Sequence, residues 1–302
     1  MRSIKMIAGT MVATASFCIP SAWSAGPMVF SGSGAEATTA LNAYRTAIGG
    51  SRNTAGSEAS GRREISWDGV RLDGTDANPN TKVISSGHTV IIPVDRFQSQ
   101  GALFAAPYSV SGDGFASVNP RTAGQFPAFS PNNTFAMQGT TAYQFSNRFI
   151  EQSFTIPGTA TAAVTRGFGA IFVDVENAGS SSIEYFGHDA SGHEVSLGSF
   201  AVPTGASGQP EFLGVLFDKP VVTDVKLTVG TNSLFTTYFG GSGVQSFGAE
   251  NLAANDLAVT DDFVFAEPTV ASPIPEPSSY ALMVAGLGLL GFIARRKIQD
   301  RA

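Results

Sequence analysis

Cysteine is all but missing from this 302-residue chain, and histidine and lysine are scarce. The one cysteine, Cys18, sits in an N-terminal stretch that reads as a removable leader. What remains has no thiol for a disulfide, a thiolate nucleophile or a cysteine metal site. The three histidines are His88, His188 and His193, and none lies in a His-Glu-x-x-His helix of the zinc hydrolase kind. A Gly-x-Ser-x-Gly elbow, a phosphate loop and a dinucleotide fingerprint are also absent. Charged residues make up only 14% of the chain. Setting aside Arg2, Lys5, Arg295, Arg296, Lys297 and Arg301 leaves 12 of 18 cations, and setting aside Glu276 and Asp300 leaves 22 of 24 acids. The body then carries a formal charge of −10, with Lys82, Lys219 and Lys226 as its only lysines, and offers no basic footprint for nucleic acid.

Apolar and turn-forming residues are plentiful. Hydrophobic residues account for 43%, Phe alone for 23 positions, and Gly and Pro for 34 and 16. That is enough apolar mass for a real core, divided by many turns, which is a β-rich composition.

Both ends read as addresses. Residues 1–24 begin with Arg2 and Lys5, continue as an apolar stretch from Met6 to about Ile19 and break at Pro20. This is the layout of a secretory signal peptide, with Ala22 and Ser24 as the small residues before cleavage. A lipoprotein signal at Cys18 is opposed by the bulky Phe17, and the remaining alternative is a buried N-terminal helix. At the other end, Tyr280 to Ala294 is an uncharged apolar run followed at once by Arg295, Arg296 and Lys297. The run is short for a membrane span, and its basic foot belongs in the cytoplasm, which puts the body outside and agrees with the leader.

Pro275-Glu276-Pro277, the apolar segment and Arg295-Arg296-Lys297, in that order and spacing, resemble the PEP-CTERM sorting signal of Gram-negative bacteria. The resemblance covers about the last 25 residues. It implies recognition by an exosortase that cuts near the Pro-Glu-Pro element and releases the protein or transfers it to the cell surface, often in bacteria that make exopolysaccharide. Prolines keep residues 272–277 extended and open to such an enzyme. A permanent single-span anchor keeps the same orientation and differs only in fate.

Between the addresses, Ala35–Ile48 places Leu41, Tyr44 and Ile48 at helical spacing and stops at Gly49-Gly50, which predicts one substantial helix. Glu64–Gly69 alternates and predicts a strand with Trp67 facing the core. Phe135–Gln138, Arg148–Ile156, Phe168–Val175, Ile183–Phe186, Val195–Val202, Phe212–Phe217, Val221–Val229 and Ala258–Ala266 are runs of strand length bounded by turn residues. Ile183–Val195 reads as a hairpin with its tip at Asp189–Gly192. Eight or so strands without a βαβ rhythm predict an all-β fold, an antiparallel jelly-roll β-sandwich with one N-terminal helix. The expected division is a signal peptide over 1–24, a helix and loop region over 25–80, a sandwich body over 81–268, a proline-rich linker over 269–279, and a transmembrane helix with its basic tail over 280–302. Residues 168–268 are similar to galactose-binding-like jelly-roll domains of secreted bacterial proteins.

Asp174 and Glu176 flank Val175 at a strand end. Same-parity residues of a strand share a face, so with Asp261 or Asp262 they offer hard oxygen ligands for calcium. The competing reading is a set of solvated strand-end charges. Glu64, Asp68, Asp174 and Glu176 are the acids available for a glycosidase pair, which needs two carboxyls about 5–10 Å apart. Tyr238, in the loop-like segment 236–243, is the aromatic best placed to stack on a sugar, against a packing role for the same ring. These readings converge on an exported, exosortase-sorted surface or matrix protein. Its sandwich is expected to be non-catalytic and to bind or structure extracellular polysaccharide, and the alternative is a secreted polysaccharide hydrolase.

Overall fold

The computed structural model describes residues 26–76, 78, 80–131, 133–137, 148–237, 244–246, 248–271, 283–284 and 286–290. Residues 1–24, where a signal peptide is expected, and Tyr238, Pro275-Glu276-Pro277 and Arg295-Arg296-Lys297 lie outside the described residues. Of the apolar run at 280–294, residues 283–284 and 286–290 are described, and they are helical. Among the described residues no helix is long and apolar enough to cross a membrane.

In chain order the first elements are β1 (Met28–Ser33), α1 (Ala35–Ile48), β2 (Arg62–Ile65), β3 (Lys82–Ser85), β4 (Thr89–Ile92), β5 (Ala102–Phe104) and β6 (Tyr108–Ser111). There follow β7 (Thr134–Met137), β8 (Phe149–Phe154), β9 (Gly167–Val173), β10 (Ser182–His188), β11 (Glu194–Ala201) and β12 (Pro210–Leu216). The last are β13 (Asp224–Thr228), β14 (Phe235–Thr237), β15 (Val244–Ser246) and β16 (Val259–Ala266). Two five-stranded antiparallel sheets, β1-β12-β9-β16-β2 and β11-β10-β13-β8-β5, form the all-β sandwich. A four-stranded sheet, β3-β4-β6-β7, and the β14-β15 pair complete the strands among the described residues.

The helix forms where its periodicity predicts. Ala37, Leu41, Tyr44 and Ile48 fall on one buried stripe, and Gly49 ends the helix with a φ of 122°. That stripe lies on the first sheet, where Tyr44 packs against Phe212 of β12 at 5.6 Å between ring centroids. Gly169 and Gly214 make this possible. A Cβ on Gly169 would stand 2.9 Å from the Phe212 ring, and one on Gly214 would stand 2.8 Å from Phe212 and 3.0 Å from Tyr44. The opposite face of β9 carries Phe168, which meets Phe154 of β8 and Phe263 and Phe265 of β16. Strand β9 is therefore buried on both faces, between helix and second sheet, which is why it reads as an unbroken apolar run. Each buried Phe contributes about 1.5–3 kcal/mol relative to exposure, so this aromatic layer is a principal source of cohesion.

One expectation is corrected. The 64–69 strand ends at Ile65, and Trp67 sits in the following turn with a φ of 63°. It is buried all the same: its ring packs on Phe97 and Phe263, and its Nε1 donates to the Asp261 carbonyl at 2.8 Å. Sheet pairing also crosses the boundary drawn after residue 80. β1 pairs with β12 and β2 with β16, because the sandwich needs both strands to complete its first sheet.

The register sets the two ends of this sheet. Met28 pairs with Leu216, Leu216 with Gly167, and Arg62 with Ala266 at one end. Ser33 pairs with Glu211, Pro210 with Val173, and Val173 with Val259 at the other. The chain therefore enters β1 and leaves β16 at the same end of the sandwich. Past β16, Thr269 is held by mutual backbone hydrogen bonds with Val164 at 2.8 and 2.9 Å.

Candidate functional site

The far end of the first sheet gathers carboxylates. Strand β9 finishes at Val173, and Asp174 takes a φ of 72°, a left-handed conformation that short polar side chains tolerate better than most. This turn ends the period-two alternation, so Asp174 and Glu176 come together through a bend in the chain and not through shared strand parity. Their third partner is Glu250, from the segment that precedes β16. Ligand oxygens of Asp174, Glu176 and Glu250 all lie within 4.8 Å of one another. Glu211 at the start of β12 and Asp256 stand close behind, both fully buried.

Neutral donors hold the outer oxygens of this group. Asp174 Oδ1 accepts from Ser207 Oγ at 3.1 Å and from the Gly208 N–H. Gln125 Nε2 bridges Asp174 Oδ2 and Glu250 Oε2, the latter at 2.9 Å, and Glu250 Oε1 accepts from the Leu257 N–H at 2.7 Å. Glu211 Oε2 accepts from the N–H of Val175, the residue between the two acids, at 3.3 Å, and Asp256 Oδ2 accepts from the Asn177 N–H at 2.9 Å. Both oxygens of Glu176, Oε1 of Glu211 and Oδ1 of Asp256 are buried with no hydrogen-bond partner. Among the described residues none of the five acids is paired with a Lys, Arg or His.

Burial and the neighbouring acids raise Glu176, Glu211 and Glu250. Desolvation, with Asp174 and Glu250 beside it, pushes Glu176 well above the ordinary Glu value. Glu211 is pushed up to about 9 by burial and by the charges of Asp174, Glu176 and Asp256. Glu250 rises to about 7 for the same reasons.

Asp261 and Asp262 do not join this cluster. They occupy an irregularity in β16 between Thr260 and Phe263, farther along the strand, and face a different set of groups. Asp261 accepts from the Phe129 N–H at 2.7 Å and from Ser130 Oγ at 3.2 Å, and Ser130 also reaches Asp68. Asp262 lies 3.7 Å from Arg45. The four acids considered for a glycosidase pair fall into two groups, Asp174 with Glu176 in the cluster above and Glu64 with Asp68 beside Asp262. Glu64 is claimed by Arg45 and Arg62 at 2.9 and 2.6 Å, and Asp68 accepts from Ser130 and the Asn133 N–H. Glu64 aligns with Val264, which pairs with Gly169, five residues before Asp174 along β9, or about 16 Å at strand rise. His188 and His193 flank the exposed β10-β11 hairpin tip, where Asp189 Oδ1 accepts from the Ser191 and His193 N–H groups at 2.8 and 3.0 Å.

Sequence reasoning found Asp174 and Glu176 and missed Glu250, Glu211 and Asp256. Glu211 was hidden as the one acid in an otherwise apolar strand. A buried acid in such a run, far from any basic residue in sequence, is the signal that could have raised it.

Comparison with known proteins touches only the tail. Residues 273–297 match the PEP-CTERM protein-sorting motif. No curated protein and no solved structure matches the chain. The motif implies an exported protein of a Gram-negative bacterium, sorted to the membrane or cell surface and processed by an exosortase.

Proposed function

We propose that the protein is a non-catalytic component of the bacterial surface or extracellular matrix, delivered by exosortase and binding or structuring glycan through its sandwich. The observation that carries this reading is the sorting motif at 273–297, which begins almost immediately after Thr269, the last of the described residues with a backbone hydrogen bond to the body. Residues 270–279 form the whole connection to the apolar run, at most about 35 Å when extended. The cutting enzyme therefore meets a short proline-rich neck between a folded body and the bilayer. The chain leaves β16 at the end of the sandwich away from the acidic cluster, so the tail holds that end toward the membrane and the acidic end outward. The likeness of residues 168–268 to galactose-binding-like jelly rolls supports a carbohydrate partner. A body without a thiol, a nucleophile motif or a zinc-hydrolase motif supports binding in preference to hydrolysis.

The test is mass spectrometry of the protein recovered from envelope and medium, in cells with an active and an inactivated exosortase. The expected species begins near Ala25, ends near Pro277 and disappears when the exosortase is inactive. Recovery of the full-length chain with both ends intact in active cells would refute the sorting. A glycan array probed with the released body, alongside a panel of glycoside substrates, separates binding from hydrolysis.

A further inference from the structure

Few large apolar side chains of the body face solvent, and they are not spread evenly. Among the described residues up to 271, six are exposed: Met28, Val29, Val83, Val221, Leu252 and Val270. Four of them, Met28, Val29, Val221 and Val270, belong to the end of the sandwich where the chain leaves β16. Backbone pairing gathers these four. Met28 aligns with Leu216, and Leu216 with Gly167 at the start of β9. Just ahead of β9, the Thr165 carbonyl accepts the Val221 N–H at 3.1 Å, and Val164 exchanges hydrogen bonds with Thr269, whose next residue is Val270. A single exposed aliphatic side chain is ordinary, whereas a group of them at one end marks a contact surface. The segments that carry the patch, 26–29, 217–222 and 267–271, hold only three charged residues. Asp218 and Lys219 are exposed and opposite in sign, and Glu267 is closed off by Arg63.

We infer that this end of the sandwich is a membrane-docking surface, on which Met28, Val29, Val221 and Val270 rest in the lipid layer that holds the apolar run at 280–294. The inference rests on the proposed delivery of the chain to the membrane by its tail. The length of the connection selects the occupant. Residues 270–279 reach at most about 35 Å when extended, so the patch is the part of the body tied nearest to the lipid. A tether this short holds it at an effective concentration on the order of millimolar, and docking then needs little free energy of its own. Apolar side chains at a membrane surface settle about 5–10 Å into the boundary between headgroups and acyl chains. A second copy of the chain is a poorer fit, because four aliphatic side chains cover far less than the about 800 Å² per partner of a stable dimer. Charge turns the body the same way. The patch is nearly neutral, while Asp174, Glu176, Glu211, Glu250 and Asp256 lie at the opposite end, where anionic headgroups repel them least.

The experiment takes the chain from Ala25 onward, which holds every described residue and no cysteine, in vesicles of phosphatidylethanolamine with a minority of phosphatidylglycerol. One environment-sensitive dye is attached in turn to Met28→Cys, Val221→Cys, Leu252→Cys and Val284→Cys, and quenching by brominated acyl chains is read. The Val284 label reports insertion of the apolar run. Leu252 lies at the acidic end, where its carbonyl accepts from Asn177 Nδ2 at 3.1 Å. Labels at Met28 and Val221 are expected to shift to the blue and to be quenched at least half as strongly as the one at Val284, and the Leu252 label not at all. Val29→Asp/Val270→Asp should lower quenching at Val221 by at least half, with the emission of buried Trp67 verifying the fold. Quenching at Val284 with none at Met28 and Val221 overturns the docking and leaves the tail reading standing. No quenching at Val284 overturns the tail reading and the docking with it. A blue shift without bromine quenching assigns the patch to a second copy, and that result, equal quenching at Leu252, or an unaffected double variant overturns the inference.

Discussion

Glu267, the residue after β16, makes the buried ion pair on which the end of the sandwich where the chain leaves β16 depends. Arg63 of β2 is fully buried and meets Glu267 in a two-pronged contact, Nε to Oε2 at 2.6 Å and Nη2 to Oε1 at 2.7 Å. The same carboxylate accepts from Asn53 Nδ2 at 2.8 Å and from the Glu58 N–H at 2.9 Å, so it also holds the 53–58 loop. Replacing Glu267 by Leu strands a guanidinium that already has one nitrogen, Nη1, without an acceptor. Breaking a buried pair from one side costs about 3–5 kcal/mol, or about 10 °C in Tm for a body of this size. The double variant Arg63→Met/Glu267→Leu removes both charges and is expected to recover most of that loss. Trp67 lies at the core and reports the transition by fluorescence in urea. Burial pushes the Glu267 carboxyl up, but Arg63, Asn53 and Glu58 together hold it below the ordinary 4.5. Its contribution is therefore complete above that value and lost as pH falls through the lower folded value. A loss under 1 kcal/mol for Glu267→Leu at pH 7, or a double variant as unstable as the single one, would refute the reasoning.

Gly214→Ala forces a methyl group against Phe212 and Tyr44 and is expected to cost about 1–3 kcal/mol; paired with Tyr44→Leu, which opens the space, the cost should fall, and additive losses in urea melts would count against this packing. Burial, with Glu64 and Asp68 nearby, raises Asp262 to about 6 against the pull of Ser130 and Arg45. The folded state then binds more protons than the unfolded chain between 3.8 and about 6, so this residue's contribution to stability falls as pH rises through that window. Asp262→Asn should accordingly gain in Tm relative to wild type on going from pH 4 to pH 8, and parallel Tm curves would exclude the effect.

The helix was legible because Leu41, Tyr44 and Ile48 fall at helical spacing and two glycines follow. Strands β8 to β13 and β16 were legible as apolar runs between turn residues. Strand β1, reading Met-Val-Phe-Ser-Gly-Ser, was not, because its register comes from β12, which is far along the chain (Met28 pairs with Leu216), and its small polar half resembles a loop. The short β3, β4, β5 and β6 carry too few residues for any periodicity to develop. The acidic cluster was half legible. Asp174 and Glu176 are near neighbours, whereas Glu250 reaches them only through the pairing of β9 with β16. Asp261 and Asp262 were misassigned because an irregularity in β16 cannot be read from alternation, and it directs them to Ser130 and Arg45.

Because Met28 and Ala266 sit on the same side of the body, three strand spacings or about 14 Å apart, a bridge of about six residues could join them. A chain re-cut at the Asp189–Gly192 hairpin tip and closed at its former ends would retain every ladder of both large sheets. The order in which the strands are synthesised is thus separable from the architecture they build.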